Sequence, residues 1–243
     1  MIDRAAFYAS VRKSLFGGRL SQSQIDGMND LLEAWEVSGF TDLRWLAYIF
    51  GGVYAEVGKR MVPVREGFAS TDAGARAAVA KLYASGRISR NYALPVGGVS
   101  YYGRGRIQNT HYDNYLKLQN RFGYPFVKQP DLLLESKIDA IVTVRGHAEG
   151  IWTGKKLGDY FTPTRADWTN ARRIVNGTDR AAEIAGYAKK FYEALFLAEA
   201  AAGQKTPPAV PPPPPVTPAP VPVETAPRSL WAWLVNVWRV VIG

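Results

Sequence analysis

The chain has 243 residues, 47% hydrophobic and 21% charged, which is enough apolar surface for one domain with a sizeable core. It contains no cysteine, so a disulfide framework and a thiolate zinc site are excluded. Its two histidines, His111 and His147, do not stand in the His-Glu-x-x-His spacing of a zinc helix, and no metal or cofactor is expected. The formal net charge of +9 favours an anionic partner: nucleic acid, anionic lipid or an acidic cell-wall polymer.

The opening MIDRAAFYASVRKSLF lacks the apolar stretch of a secretory leader, so synthesis in the cytoplasm is expected. Phe7, Val11 and Leu15 recur at steps of four, the period of one helix face, before Gly17 and Gly18 stop the pattern. Ser21 with Gln24 has capping-box spacing ahead of a second stripe made by Ile25, Met28, Leu31, Leu32 and Trp35. A third helix begins after Thr41, buries Leu43, Leu46, Phe50, Val53 and Val57, and ends before Pro63. From about residue 62 to 114 the chain is rich in Gly, Ser and Tyr, interrupted by a short Ala-rich helix over residues 73–84. LLLESKIDAIVTVRGH and DWTNARRIVNG read as further helices. Asn176 and Gly177 mark a turn, and Ile184, Tyr187, Ala188, Phe191 and Leu195 form the stripe of a last long helix.

The composition then changes abruptly. Eleven of the sixteen prolines lie between positions 207 and 227, so residues 206–227 read as a polyproline II spacer. Its reach is roughly 60 Å at about 3.1 Å per residue. Residues 228–243, RSLWAWLVNVWRVVIG, are apolar and rich in tryptophan. As a helix they would place Trp231, Leu234, Val235, Trp238 and Val241 opposite Asn236 and Arg239, the pattern of an anchor lying in a membrane surface. The expected organisation is one mainly α domain over residues 1–205, a proline-rich linker, and a short amphipathic C-terminal helix.

Two stretches carry the chemistry. YYGRGRIQNTHYDNY mixes aromatic rings with Gln, Asn, Thr and His and fits neither the strand nor the helix period. Groups that both donate and accept, beside aromatic faces, suit a carbohydrate. In LAYIFGGVYAEVGKR, Glu56 lies at the edge of the buried stripe, near the helix C-terminus. Gly52, one turn earlier, leaves space under a side chain that leans back toward it. A half-buried carboxylate facing open space is the arrangement a general acid needs; a surface glutamate beside a helix-packing glycine is the competing reading.

In their order these segments resemble family 19 of the glycoside hydrolases, the chitinase-like family that includes phage endolysins with a lysozyme-like helical fold. The family pattern Tyr-Gly-Arg-Gly-x-x-Gln-x-Thr-x-x-x-Asn-Tyr is matched at Tyr102, Gly103, Arg104, Gly105, Gln108, Thr110, Asn114 and Tyr115, and ARRIVNG resembles its Ile-Val-Asn-Gly segment. The resemblance covers about residues 3–200. It implies a lysozyme-like domain with a loop-rich substrate cleft, and Glu56 as the acid that protonates the glycosidic oxygen. Because the family inverts configuration, a second carboxylate must activate water; Glu66 is favoured and Asp72 is its rival. The resemblance places Tyr102, Arg104, Gln108, Thr110, Asn114 and Asn176 at the substrate, with Thr110 helping to hold the water and Arg104 also suited to organising the turn between its glycines. His111 and Tyr112 would line the cleft at most. Two departures stand out: Ala55 replaces the family's histidine before the catalytic glutamate, and Glu183 stands where plant members have an arginine in the final helix.

The expected function is therefore hydrolysis of β-1,4 bonds between N-acetylhexosamines. Peptidoglycan, whose carboxylates would draw a basic domain, is preferred to neutral chitin, and the site of action is the bacterial cell wall. An inactive wall-binding module of the same fold is the alternative from another class. Nucleic-acid binding is not expected, since charge alone supports it and no recognition motif does.

Overall fold

Phe7, Val11 and Leu15 are buried along and just beyond α1 (Arg4–Ser14), whose first turn is capped by the Asp3 carboxylate accepting the Ala6 N–H at 3.1 Å. The structure, a computed structural model, describes residues 2–204; the proline-rich stretch and the apolar C-terminal segment expected from the sequence lie outside the described residues. The capping box forms at the start of α2 (Gln22–Ser38): Ser21 Oγ accepts from the Gln24 N–H, and Gln24 Oε1 accepts from the Ser21 N–H. Met28, Leu31, Leu32 and Trp35 are buried as the stripe requires, whereas Ile25 is only half-buried.

Every residue from 46 to 54 of α3 (Leu43–Glu56) is buried, so this helix is enclosed on all sides, as an all-apolar helix must be. It ends at Glu56, well short of Pro63. Gly58, Lys59 and Met61 take positive φ, and the Lys59 N–H returns to the Tyr54 carbonyl at 2.9 Å, so the chain turns early. The two-residue strand β1 (Val64–Arg65) leads into a 3-10 turn, Glu66–Phe68, and then into α4 (Asp72–Ala84). β1 pairs antiparallel with β2 (Arg104–Gly105), Val64 opposite Gly105 and Arg65 opposite Arg104.

The stretch following β2 enters an unforeseen helix, α5 (Tyr112–Phe122), closed by Gly123 at φ 75. The segment LLLESKIDAIVTVRGH divides into a 3-10 turn, Pro130–Leu134, and α6 (Ser136–Glu149). A hairpin of β3 (Phe161–Thr162) and β4 (Arg165–Ala166) follows. DWTNARRIVNG, read as a helix, forms only the 3-10 turn Asn170–Ile174 before the Asn-Gly turn interrupts it. Finally α7 (Ala181–Gln204) packs along α3 and α1, while α2 packs on α6. The protein is mainly helical, with a few short strands among the described residues. Gly51 makes the α3–α7 contact: a Cβ there would lie 2.7 Å from the Ala188 backbone nitrogen, closer than real contacts allow. No helix of the described residues is long and apolar enough to cross a membrane.

Candidate active site

Glu56 is the last helical residue of α3. Its neighbour one turn back, Gly52, is enclosed, yet a Cβ added to it would meet no atom within 4 Å. The two adjacent glycines thus have separate effects: Gly51 admits α7, and Gly52 leaves open space one turn before Glu56. Glu56 Oε1 accepts from Arg172 Nη1 at 2.7 Å, with 22% of the glutamate side chain and 7% of the arginine exposed. Arg172 comes from the 3-10 turn Asn170–Ile174, where its Nε donates to the Asp179 carbonyl at 3.2 Å and its own carbonyl accepts from the Asn176 N–H. Burial pushes the Tyr48 hydroxyl up, and the charges of both Arg172 and Glu56 bear on it. Burial, aided by the charge of Arg172, lowers His147 to about 4. Its Nδ1–H donates to the Thr143 carbonyl, which opposes that shift without cancelling it, so burial keeps the imidazole neutral. Arg180, also in the field of Glu56, forks onto Glu183, which the arginine and the Tyr187 hydroxyl together hold down at about 2.

The second cluster forms around Glu66. The Glu66 N–H donates to the Gly103 carbonyl at 2.7 Å, and Glu66 Oε2 accepts from the Gly103 N–H at 3.0 Å, which continues the β1–β2 ladder through a side chain. The Tyr92 hydroxyl hydrogen-bonds the same carboxylate and is itself pushed up to about 12, chiefly by burial. Gln108, at φ 54, gives both of its amide hydrogens to backbone carbonyls, those of Val64 at 3.0 Å and Gly105 at 2.9 Å, which leaves its Oε1 for a ligand. A Cβ on Gly103 would fall 2.5 Å from Glu66 Oε2 and 2.8 Å from Gln108 Oε1, so only glycine lets the two side chains converge there.

A run of neighbouring residues extends from the second cluster toward the first. Asn109, next to Gln108, accepts through Oδ1 from Trp152 Nε1 at 2.7 Å, and the Trp152 ring meets the His147 ring edge-on at 4.9 Å. His147 in turn feels the charge of Arg172, which holds Glu56. Thr153 pins this loop by donating to the carbonyl oxygens of Arg173 and Ile174.

The other expected residues divide. Tyr102 is fully buried and Arg104 is 2% exposed, so in the described structure neither side chain faces solvent. Arg104 stacks on Tyr102 at 3.6 Å and donates to Asp131 Oδ1, the Ser100 carbonyl and the Tyr115 hydroxyl, holding the turn from within. Asp72 pairs with Arg76 at 3.0 Å and with Arg104 at 3.5 Å, so it belongs to this buttress. Asn114 Nδ2 donates to the Thr110 carbonyl, and both residues remain half-exposed. Asn176 is exposed, its Oδ1 accepting from the Gly177 N–H. His111 Nδ1 accepts from Arg90 Nη2 at 3.1 Å, beside a separate recess also lined by Tyr112.

Tyr92, Asn109, Trp152 and Arg172 were not foreseen. Arg172 lies inside the matched ARRIVNG segment and Asn109 inside YYGRGRIQNTHYDNY, at positions the family pattern leaves unspecified; Tyr92 and Trp152 carry no local signal. Among the described residues no group of three or more His, Cys, Asp or Glu is placed to hold a metal ion. Comparisons with protein-family models, with curated proteins and with solved structures return no match.

Proposed function

We propose that the chain is a lysozyme-like glycoside hydrolase of the family 19 type that cleaves β-1,4 bonds between N-acetylhexosamines, with peptidoglycan as its substrate. The observation that carries this reading is Glu56, a half-buried carboxylate one turn after the open space at Gly52 and held by Arg172 at 2.7 Å. In this reading Glu56 gives its proton to the glycosidic oxygen, and Arg172 receives the negative charge left behind. Glu66, one oxygen fixed by the Gly103 N–H, takes a proton from the attacking water. Inversion requires the two carboxyl groups to flank the bond with room for that water, roughly 6.5–9.5 Å apart. Gln108 Oε1, Thr110 and Asn114 line the approach and offer hydrogen bonds to acetamido and hydroxyl groups.

One observation favours a second reading, a wall-binding module without turnover: Glu56 is engaged by Arg172 at 2.7 Å. Glu56→Gln separates the two. A hydrolase should lose at least about a hundredfold in muropeptide release while keeping its melting temperature. Full lytic activity in that variant would remove Glu56 from the mechanism, and binding of cell walls by an inactive wild type would establish the module.

A further inference from the structure

Beside Glu66 the surface opens into a recess of about 370 Å³ between the Glu66–Phe68 turn and the far end of α4. Its wall includes Glu66, Ala78, Lys81, Leu82, Ser85 and Arg87. The neighbouring cations are neutralised: Arg65 and Arg104 by Asp131, Arg76 by Asp72. Lys81 and Arg87 are exposed and make no ion pair among the described residues, so two uncompensated positive charges flank the recess. Glu66, the acidic group of this wall, already accepts from the Gly103 N–H and from Tyr92. Ala78 and Leu82 give the recess an apolar side between the charges.

We propose that this recess binds the peptide stem of peptidoglycan, its carboxylates on Lys81 and Arg87 and its alanine methyl groups on Ala78 and Leu82. Lys81 and Arg87 thereby select peptidoglycan over chitin. The proposal rests on the hydrolase reading above. Chitin offers only neutral acetamido groups, which gain nothing from two free cations, whereas a stem peptide alternates small apolar and acidic residues. The volume suits one or two amino-acid residues, since a liquid water takes about 30 Å³. Because Glu66 belongs both to the recess and to the proposed water-activating cluster, a stem lodged there hangs from a sugar next to the bond being cut.

The test compares wild type with the double variant Lys81→Ala and Arg87→Ala on three substrates: intact peptidoglycan, the same glycan stripped of stems by an amidase, and a chitin oligosaccharide. Wild type should cleave intact peptidoglycan with the highest kcat/KM. The double variant should lose about tenfold on it, the scale of two partly exposed ion pairs acting together, and nothing on the other two. Lys81→Arg with Arg87→Lys, which keeps both charges, should restore most of the loss. An equal effect on all three substrates, or none on any, would overturn the recess while leaving the hydrolase reading intact. A wild type inactive on all three substrates overturns the hydrolase reading, and the recess proposal falls with it.

Discussion

Glu66 and Asp72 stand six residues apart near the same turn, and their surroundings assign them different work. Asp72 sits in the first turn of α4 between Arg76 and the interior Arg104, so its charge is spent on holding structure. Glu66 accepts from a backbone N–H and lies beside the Tyr92 hydroxyl, and it converges with Gln108 on the space a Gly103 side chain would fill. Glu66→Gln should therefore lower turnover by about a hundredfold or more with little change in melting temperature. Asp72→Asn should leave turnover near wild type and cost about 1 kcal/mol of stability or less, because the pair is half-exposed and Arg104 keeps Asp131. Rates and urea unfolding of both variants decide the matter, and the reverse pattern would make Asp72 the base. Spacing in the sequence singled out both carboxylates but not the direction each side chain faces. Arg104 and Tyr102 stand out in the pattern by residue type, and they stack and hydrogen-bond inside the turn.

At the scale of elements, the helices with a regular stripe were legible: α1, α2, α3 and α7 bury most of the residues their period selects, with Ile25, Leu43 and Tyr187 half-buried. α5 was hidden because its start lacks a capping side chain. His111 precedes it at φ 68 with no cap hydrogen bond, and the polar stretch before it masks the burial of Tyr115 and Leu118. The 3-10 turn Asn170–Ile174 failed as a helix because the Asn-Gly turn leaves it no length to propagate. Within α3 the two glycines give a sharp contrast. Gly51→Ala drives a Cβ into the Ala188 backbone, which cannot yield as a side-chain tip can, and should destabilise by about 1–3 kcal/mol or more. Gly52→Ala meets open space and gains helix propensity, so stability should rise by up to about 1 kcal/mol while turnover falls as the methyl group enters the space before Glu56. Thermal unfolding and lytic assays on the pair check this. Equal destabilisation by both would mean that Gly52 borders no cleft.

Across the whole molecule, not every cation read from composition faces a partner. Arg104 and Arg106 are interior, and Arg106 is bound to Asp139 at 2.8 Å with neither side chain exposed. α6 carries Asp139 and, eight residues later, His147, and burial acts on them in opposite senses. It raises the Asp139 carboxyl to about 6 despite Arg106, and it lowers the His147 imidazole to about 4. A raised acid in the fold supplies stability at low pH that is lost as the pH climbs through about 6. A lowered base supplies stability above its unfolded value of about 6.5 that is lost as the pH falls toward about 4. Between those limits the two slopes oppose each other, so wild-type stability alone would conceal both. His147→Gln exposes the histidine's share through a difference of differences. The shortfall of the variant relative to wild type should shrink by about 2–3 kcal/mol between about pH 6.5 and about pH 4.5, at roughly 1.4 kcal/mol for each unit. All other carboxylates, Asp139 included, are common to the two proteins and cancel. Urea unfolding at the two pH values measures it. A shortfall that does not change would mean that His147 takes up a proton inside the fold as readily as outside it, and that burial and the charge of Arg172 do not keep it neutral.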